Sequence, residues 1–395
     1  MLSDADLRRT CGPLGSLTIS ETLSILEQAE AWERQGRDVC MMSVGEPDFD
    51  TPDFIKEACI RALREGRTTY TAPDGIHELR AAIIDKFAAV GISAGLDQVV
   101  VSPGGKFACA AAIGALCGPG DEVIIPTPYW VSHVQMVRAA GAKCVLVPTS
   151  AADNFELTAE SLAAAISDRT RLLILCTPSN PTGTVYRRAA LEMIAEAALR
   201  HNFMVLSDEV YEKLTYDAGQ PHLSIAALSP EIAEHSITVN SFSKSYAMTG
   251  WRVGYSCAPS WLSRKISNLQ CHFVANVTTF AQYGALAALQ HGEKACQEMR
   301  ESFARRRDLI CGLLPQVPGT SFIRPSGAFY VLLDISSFGL SSAEFCQRLV
   351  AEARVAAAPG AGFGAEGFIR LSYACSQECI CKAVQRLAEF TSTLR

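Results

Sequence analysis

The strongest chemical signal in this sequence is a lysine among small hydroxyl residues. Lys244 lies in Asn240-Ser-Phe-Ser-Lys-Ser-Tyr-Ala-Met-Thr-Gly-Trp-Arg252, directly after a β-branched run and flanked by apolar and aromatic side chains. Desolvation and nearby positive charge lower a lysine's pKa, and the neutral amine is a nucleophile suited to Schiff-base chemistry. In the same stretch Ser241, Ser243 and Arg252 are natural phosphate ligands. Ser102-Pro-Gly-Gly-Lys106 precedes an apolar helical pattern, where glycines let backbone N–H groups approach a phosphate. Asp208, in Ser-Asp-Glu-Val-Tyr211, ends another apolar run and could hold a cationic ring nitrogen, with Tyr211 turning back to the same ligand. Arg370, in Phe-Ile-Arg-Leu-Ser-Tyr373, needs an anionic partner if buried, and a carboxylate fits its fork. Plainer readings stand beside these: an ordinary glycine turn, an Asp capping the next helix, a structural salt bridge at Arg370.

Short apolar runs at 98–102, 122–126, 143–148, 171–176, 203–207, 236–240 and 253–257 are candidates for buried strands. They alternate with helical patterns at 107–117, 129–140, 157–165 and 188–200. Runs that are apolar on both faces suit a largely parallel sheet covered by helices, so the fold class is α/β. Residues 21–35 read as one amphipathic helix. Beyond 270 the chain is mostly helical (280–289, 293–314, 342–353, 377–391), with β segments at 328–334 and 367–372. This predicts a large domain over 46–280 and a smaller α+β domain made of 1–45 and 281–395. In open α/β sheets ligands sit beyond the carboxyl ends of the strands, where all these motifs fall.

The composition agrees. In 395 residues, 49% are hydrophobic and 19% charged, which excludes a disordered chain. A net charge of −6 argues against nucleic acid as a partner. No apolar stretch reaches the ~18 residues of a membrane helix. The 15 cysteines mostly stand singly in apolar runs, as Cys109, Cys117 and Cys176 do, and read as small buried hydrophobes. Cys375, Cys379 and Cys381 have no CxxC spacing and no nearby His, so no metal site is expected and none of the cysteines is given a chemical role. No secretory signal pattern is present, and a reducing cytoplasm is the expected compartment.

With these motifs in place, the chain resembles the fold-type I, class I aminotransferases that use pyridoxal 5'-phosphate, and within them the subgroup Ib bacterial aspartate aminotransferases. The stretches that carry the resemblance are SVGEPDFDTP (43–52), YTAPDGIHELR (70–80), SPGGK (102–106), PTPYWVSH (126–133), TPSNPTG (177–183), SDEVYEKL (207–214), SFSKSYAMTGWRVGY (241–255), RPSGAFYV (324–331) and IRLSYA (369–374). The resemblance implies a mostly parallel seven-stranded sheet between helices. It makes Lys244 the Schiff-base lysine and Asp208 the partner of the pyridine nitrogen. Tyr211 and Asn180 become partners of the ring oxygen, and Trp130 the ring's stacking face. Ser241, Ser243, Arg252, Gly105 and Lys106 become the phosphate cradle. Tyr70 would reach the phosphate of a neighbouring subunit in a homodimer, with active sites at the interface. Arg370 would clamp the substrate α-carboxylate, and the Gly45 backbone would border the substrate.

The same resemblance implies ping-pong transfer of an amino group between an amino acid and a 2-oxo acid. Lys106, with Ser20 and Thr22 of Ser-Glu-Thr-Leu, would address a distal carboxylate, so aspartate and glutamate are the expected donors. Thr18 and Ile19 stand where the family often has a basic residue and a proline, which weighs against prephenate. The alternatives are an aminotransferase for aromatic, aliphatic or prephenate/arogenate substrates and a β-lyase on the same fold. A regulator built on this domain would need a DNA-binding module, for which there is no basic segment.

Overall fold

The structure is a computed structural model and describes residues 29, 31–217, 219 and 221–394. The first strand, β1 (Cys40–Met41), belongs to a small sheet described below. Seven strands follow: β2 (Val99–Ser102), β3 (Glu122–Thr127), β4 (Lys143–Pro148), β5 (Thr170–Cys176), β6 (Met204–Asp208), β7 (Ser236–Ser241) and β8 (Gly254–Cys257). They form one sheet in the order β2-β8-β7-β6-β5-β3-β4. All run parallel except β8, which is antiparallel to both its neighbours. Six of the seven are buried along most of their length. β4 differs from the expectation of a buried strand: it is the sheet edge, and Leu146 is 44% exposed.

Helices cover both faces. Gly105–Leu116, Val131–Ala139 and Ser260–Val274 pack over Val100, Val123, Leu172, Leu206 and Ile237. On the other face Arg188–His201 packs over Leu173, Leu175 and Val205, and His77–Ala89 over Val99, Val101 and Tyr255. Three helices, Asp53–Arg64, His77–Ala89 and Ser260–Val274, lie where the sequence suggested none. Their N-cap positions hold Pro52, Ile76 and Pro259, and none makes a side-chain cap bond. The Ser/Thr/Asp/Asn signal that marks a helix start is therefore missing.

The remaining strands are β9 (Ser321–Phe322), β10 (Tyr330–Asp334), β11 (Val355–Ala356), β12 (Ala358–Pro359) and β13 (Phe368–Ser372). Four of them form an antiparallel sheet, β12-β13-β10-β9, while β11 pairs in parallel with β1. Helices Glu293–Leu313, Ser342–Ala353 and Gln377–Ser392 close a core around Phe303, Phe329, Phe345, Ile369 and Leu387, which also takes in Cys40 and Met42. The N-terminal segment thus packs with the C-terminal third. The helix Thr279–His291 straddles residue 280 and packs against Asp53–Arg64 and His77–Ala89. Of the amphipathic helix expected at 21–35, residues 29 and 31–34 are helical, residue 35 lies in a turn, and the others lie outside the described residues. No described helix is long and apolar enough to cross a membrane.

Candidate active site

The strand directions gather the chemistry. Because β2, β3, β5, β6 and β7 all point the same way, their carboxyl ends share one edge of the sheet. The residues that follow each strand border one cavity of about 580 Å³: Gly105 and Lys106, Trp130, Asn180, Tyr211, and Ser243 and Lys244. β8 enters the sheet at that same edge, which places Arg252 on the cavity just before Gly254. From the other body come Gly45, Tyr330, Phe363 and Arg370.

Lys244 lies on a one-turn helix, Phe242–Ser245, whose cap is the Ser241 hydroxyl. Its Nζ donates to the Gly45 carbonyl at 2.5 Å. Burial brings its pKa down to about 8, helped by the charges of Arg370, Arg252 and Lys106 and opposed by Glu46. The amine is therefore neutral in a useful fraction of molecules near neutral pH.

The phosphate cradle is preformed. Gly104 has φ +86°, and a Cβ there would collide with the Arg252 guanidinium. That guanidinium donates to Thr249 O at 2.7 Å and Pro103 O at 3.3 Å. Ser241 Oγ donates to Ser243 Oγ at 2.8 Å. Gly105 opens the helix Gly105–Leu116, whose first-turn N–H groups and dipole favour an anion.

Asp208, the last residue of β6, is 3% exposed. Its Oδ2 lies 3.1 Å from His133 Nε2, and its Oδ1 accepts from Val210 N at 3.4 Å. Around the cavity mouth, Arg370 donates to Asn180 Oδ1 at 2.9 Å and to Ser43 O at 2.7 Å. The same guanidinium lies over Tyr330 (4.4 Å) and Phe363 (4.8 Å), and its Nε is buried without a partner. Tyr211 and Tyr330 share a hydroxyl contact of 2.8 Å. Burial pushes both phenols up, so both keep their protons. Lys106 sits with its Nζ 5.2 Å from the Trp130 ring; burial and then Arg252 lower its pKa.

Twelve of the expected site residues are thus brought to one place: Gly45, Gly105, Lys106, Trp130, Asn180, Asp208, Tyr211, Ser241, Ser243, Lys244, Arg252 and Arg370 border the cavity directly; Gly104, in the glycine turn but given no role of its own by the sequence, lies against Arg252. Tyr70 is not among them; it is 87% exposed on its own chain. Ser20 and Thr22 lie outside the described residues. Sequence reasoning gave no role to Tyr330 or Phe363, although Tyr330 stands in the quoted stretch RPSGAFYV. It gave no cysteine a position that carries chemistry and singled out only Cys375 as near the site; the structure places Cys176 on the cavity and Cys109 beside Asp208 and His133. Their signal was invisible because a buried cysteine in an apolar run looks the same whether or not a strand end lies beside it.

A lysine with a depressed pKa, a buried carboxylate and a phosphate cradle on the switch edge of an α/β sheet define a pyridoxal-phosphate enzyme. Residues 37–387 match the aminotransferase class I and II family, and the chain belongs to it. It is 41% identical over 386 residues to the aspartate aminotransferase of Geobacillus stearothermophilus, covering 95% of this chain and 97% of the relative. It is 42% identical over 373 residues to the aspartate/prephenate aminotransferase of Thermus thermophilus, covering 93% and 95%. Among solved structures, an aspartate aminotransferase from Thermus thermophilus with maleate superposes with a TM-score of 0.91 at 40% identity, covering 95% of this chain and 98% of that one.

The cofactor fits the residues present. The Gly104 turn leaves room only for a bare backbone against Arg252, and Asp208 offers a buried carboxylate at the cavity floor. When bound, pyridoxal phosphate supplies an aldehyde carbon and an electron-accepting ring. The protein's part is to hold that ring, orient the substrate and move one proton.

Proposed function

We propose that this aminotransferase takes acidic amino acids, aspartate and glutamate, and exchanges their amino group with 2-oxo acids. The observation that carries this reading is a pair of cations on one cavity. Arg370 is fixed by Asn180, Ser43 O and two aromatic rings, so its outer edge is preorganised for an α-carboxylate. Lys106 borders the same cavity, makes no ion pair among the described residues, and supports its charge over Trp130. A dicarboxylate satisfies both. An apolar donor satisfies only the first.

In this reading Asp208 holds the ring nitrogen and favours its protonated form. Tyr211 and Asn180, which line the cavity, would hold the ring oxygen, and Trp130 would cover the ring. The Lys244 amine, once released from its carbonyl partner Gly45 O, would take the proton from the substrate Cα. We further propose a homodimer in which Tyr70 serves the phosphate of the second copy; its 87% exposure supports this. The boundaries 46–280 and the remainder are proposed as a cofactor body and a lid. A cytoplasmic site is supported by the free thiols of every described cysteine.

The test is a panel of half-reactions followed by cofactor absorbance. Aspartate and glutamate should react fast and aromatic donors slowly. Preference for an apolar or aromatic donor would overturn the role given to Lys106.

A further inference from the structure

Three side chains of different chemistry meet at the cavity floor. Cys109 comes from the helix Gly105–Leu116, His133 from the helix Val131–Ala139, and Asp208 from the end of β6. One ligand-type atom of each lies within 4.8 Å of the others, and all three residues are buried. We propose that the protein without its cofactor holds a zinc ion between Cys109, His133 and Asp208, and that this ion and pyridoxal phosphate exclude one another.

The donor set is the first argument. Thiolate, imidazole and carboxylate are the three side-chain types that bind Zn²⁺, and three protein ligands with one open position is the arrangement of reactive zinc sites. Asp208 also lines the active-site cavity. Spacing is the second argument. Metal bonds of about 2.0–2.3 Å put tetrahedral ligands roughly 3.3–3.8 Å apart. His133 Nε2 and Asp208 Oδ2 are already 3.1 Å apart, and the thiol needs only a modest approach. Rigidity is the third, since all three residues stand on regular elements rather than loops. The imidazole also has room for an outer partner: His133 borders a separate void of about 20 Å³ that Ser179 and Tyr186 line, space for one water.

The chemistry balances without an oxidant. The Cys109 S–H bond breaks, an S–Zn bond forms, and the proton leaves to solvent; His133 carries its proton on Nδ1 and binds through Nε2. Thiolate and carboxylate together neutralise the ion, which a buried site requires. Exclusion of the cofactor follows because Asp208 is its ring partner and cannot serve both. A second cluster, Glu209, Glu212 and His222, offers no such vacancy. Glu212 is paired with Lys86, and Glu209 already takes His222 and the hydroxyls of Ser207 and Ser224.

The experiment uses the full chain, stripped of cofactor, in a Cys271→Ser, Cys381→Ser background that removes the two exposed thiols among the described residues. Titration with Co²⁺ should give a near-ultraviolet thiolate-to-metal band that zinc then erases. The band should be missing in Cys109→Ala and in the cofactor-loaded protein. With zinc at about ten times its dissociation constant, the apparent dissociation constant for pyridoxal phosphate should rise roughly ten-fold, and not in Cys109→Ala. Cys109→Ser, which keeps the side-chain volume, should behave like Cys109→Ala and covers the case in which the alanine variant folds poorly. An equal band in the parent and both variants, or cofactor binding indifferent to zinc, overturns the proposal.

Discussion

Replacing Arg370 by lysine tests the carboxylate clamp most directly. The guanidinium makes two hydrogen bonds, to Asn180 Oδ1 and Ser43 O, and keeps Nε buried without a partner. A lysine keeps the charge but not the fork. It can replace one of the protein contacts or one bond to the substrate, not all of them. A hydrogen bond to a charged group contributes about 1.5–3 kcal/mol. Losing one from the enzyme–substrate complex should therefore lower kcat/KM roughly 10- to 150-fold, at about 1.4 kcal/mol per factor of ten. The assay is the half-reaction with aspartate and, separately, with alanine. Because the α-carboxylate is common to both donors, the loss should be of similar size for each. A loss confined to aspartate would move Arg370 to the distal end of the substrate and refute the reasoning. A change under about three-fold for both would show that the fork is not used, since even one such bond is worth more.

Gly104→Ala places a Cβ at φ +86° against Arg252, so stability should fall by about 1–3 kcal/mol and cofactor affinity should fall with it; unchanged cofactor affinity would remove Gly104 from the cradle. His222→Phe leaves Glu209 buried with only two hydroxyl partners, and thermal unfolding should show a loss of roughly 3 kcal/mol. That loss should depend on pH. Burial pushes the His222 pKa down, but the charge and hydrogen bond of Glu209, with the charge of Glu212, together outweigh this and leave it raised above 6.5, so its contribution is complete below 6.5 and fades at higher pH. Burial pushes Glu209 up, but His222, Ser224 and Ser207 leave it below 4.5, so its contribution is complete above 4.5 and fades in acid. The difference between parent and variant should be widest from 4.5 to 6.5; a gap that widens toward alkaline pH contradicts the pairing. Mixing inactive Lys244→Ala with Tyr70→Phe subunits should regain activity, because a hybrid dimer joins an intact Lys244 to an intact Tyr70. No gain on mixing would place Tyr70 on its own chain's site.

The sheet was legible because its strands are short apolar runs with abrupt polar ends, and those ends are where chemistry collects. Lys244, Asp208 and Asn180 could be found for that reason. Helices were legible where a cap or a broad apolar stripe announced them, as at Arg188–His201. They were hidden where proline or isoleucine held the cap and the buried face was three small steps, as with Leu79, Ile83 and Phe87. Contacts across the cavity were not legible at all. Tyr330 and Tyr211 stand 119 positions apart, and Arg370 and Ser43 stand 327 apart. Nothing local in the chain announces that such residues touch. Cys109 and His133 were opaque for the same reason: each is ordinary on its own helix, and only the parallel strand between them makes them neighbours.

Arg370 has one further consequence. It stands on β13, in the four-stranded sheet, yet its hydrogen bonds reach the turn after β5 in the seven-stranded sheet and the segment leading from β1 to Gly45. One side chain therefore measures the offset between the two sheets. A substitution far from the cavity that slides either layer by a fraction of an ångström will register as a change in substrate affinity. Sequence drift in the two layers is thus yoked: tolerated changes in one should be accompanied by compensating changes in the other, and chimaeras that join layers from different relatives should fold well but bind carboxylates poorly.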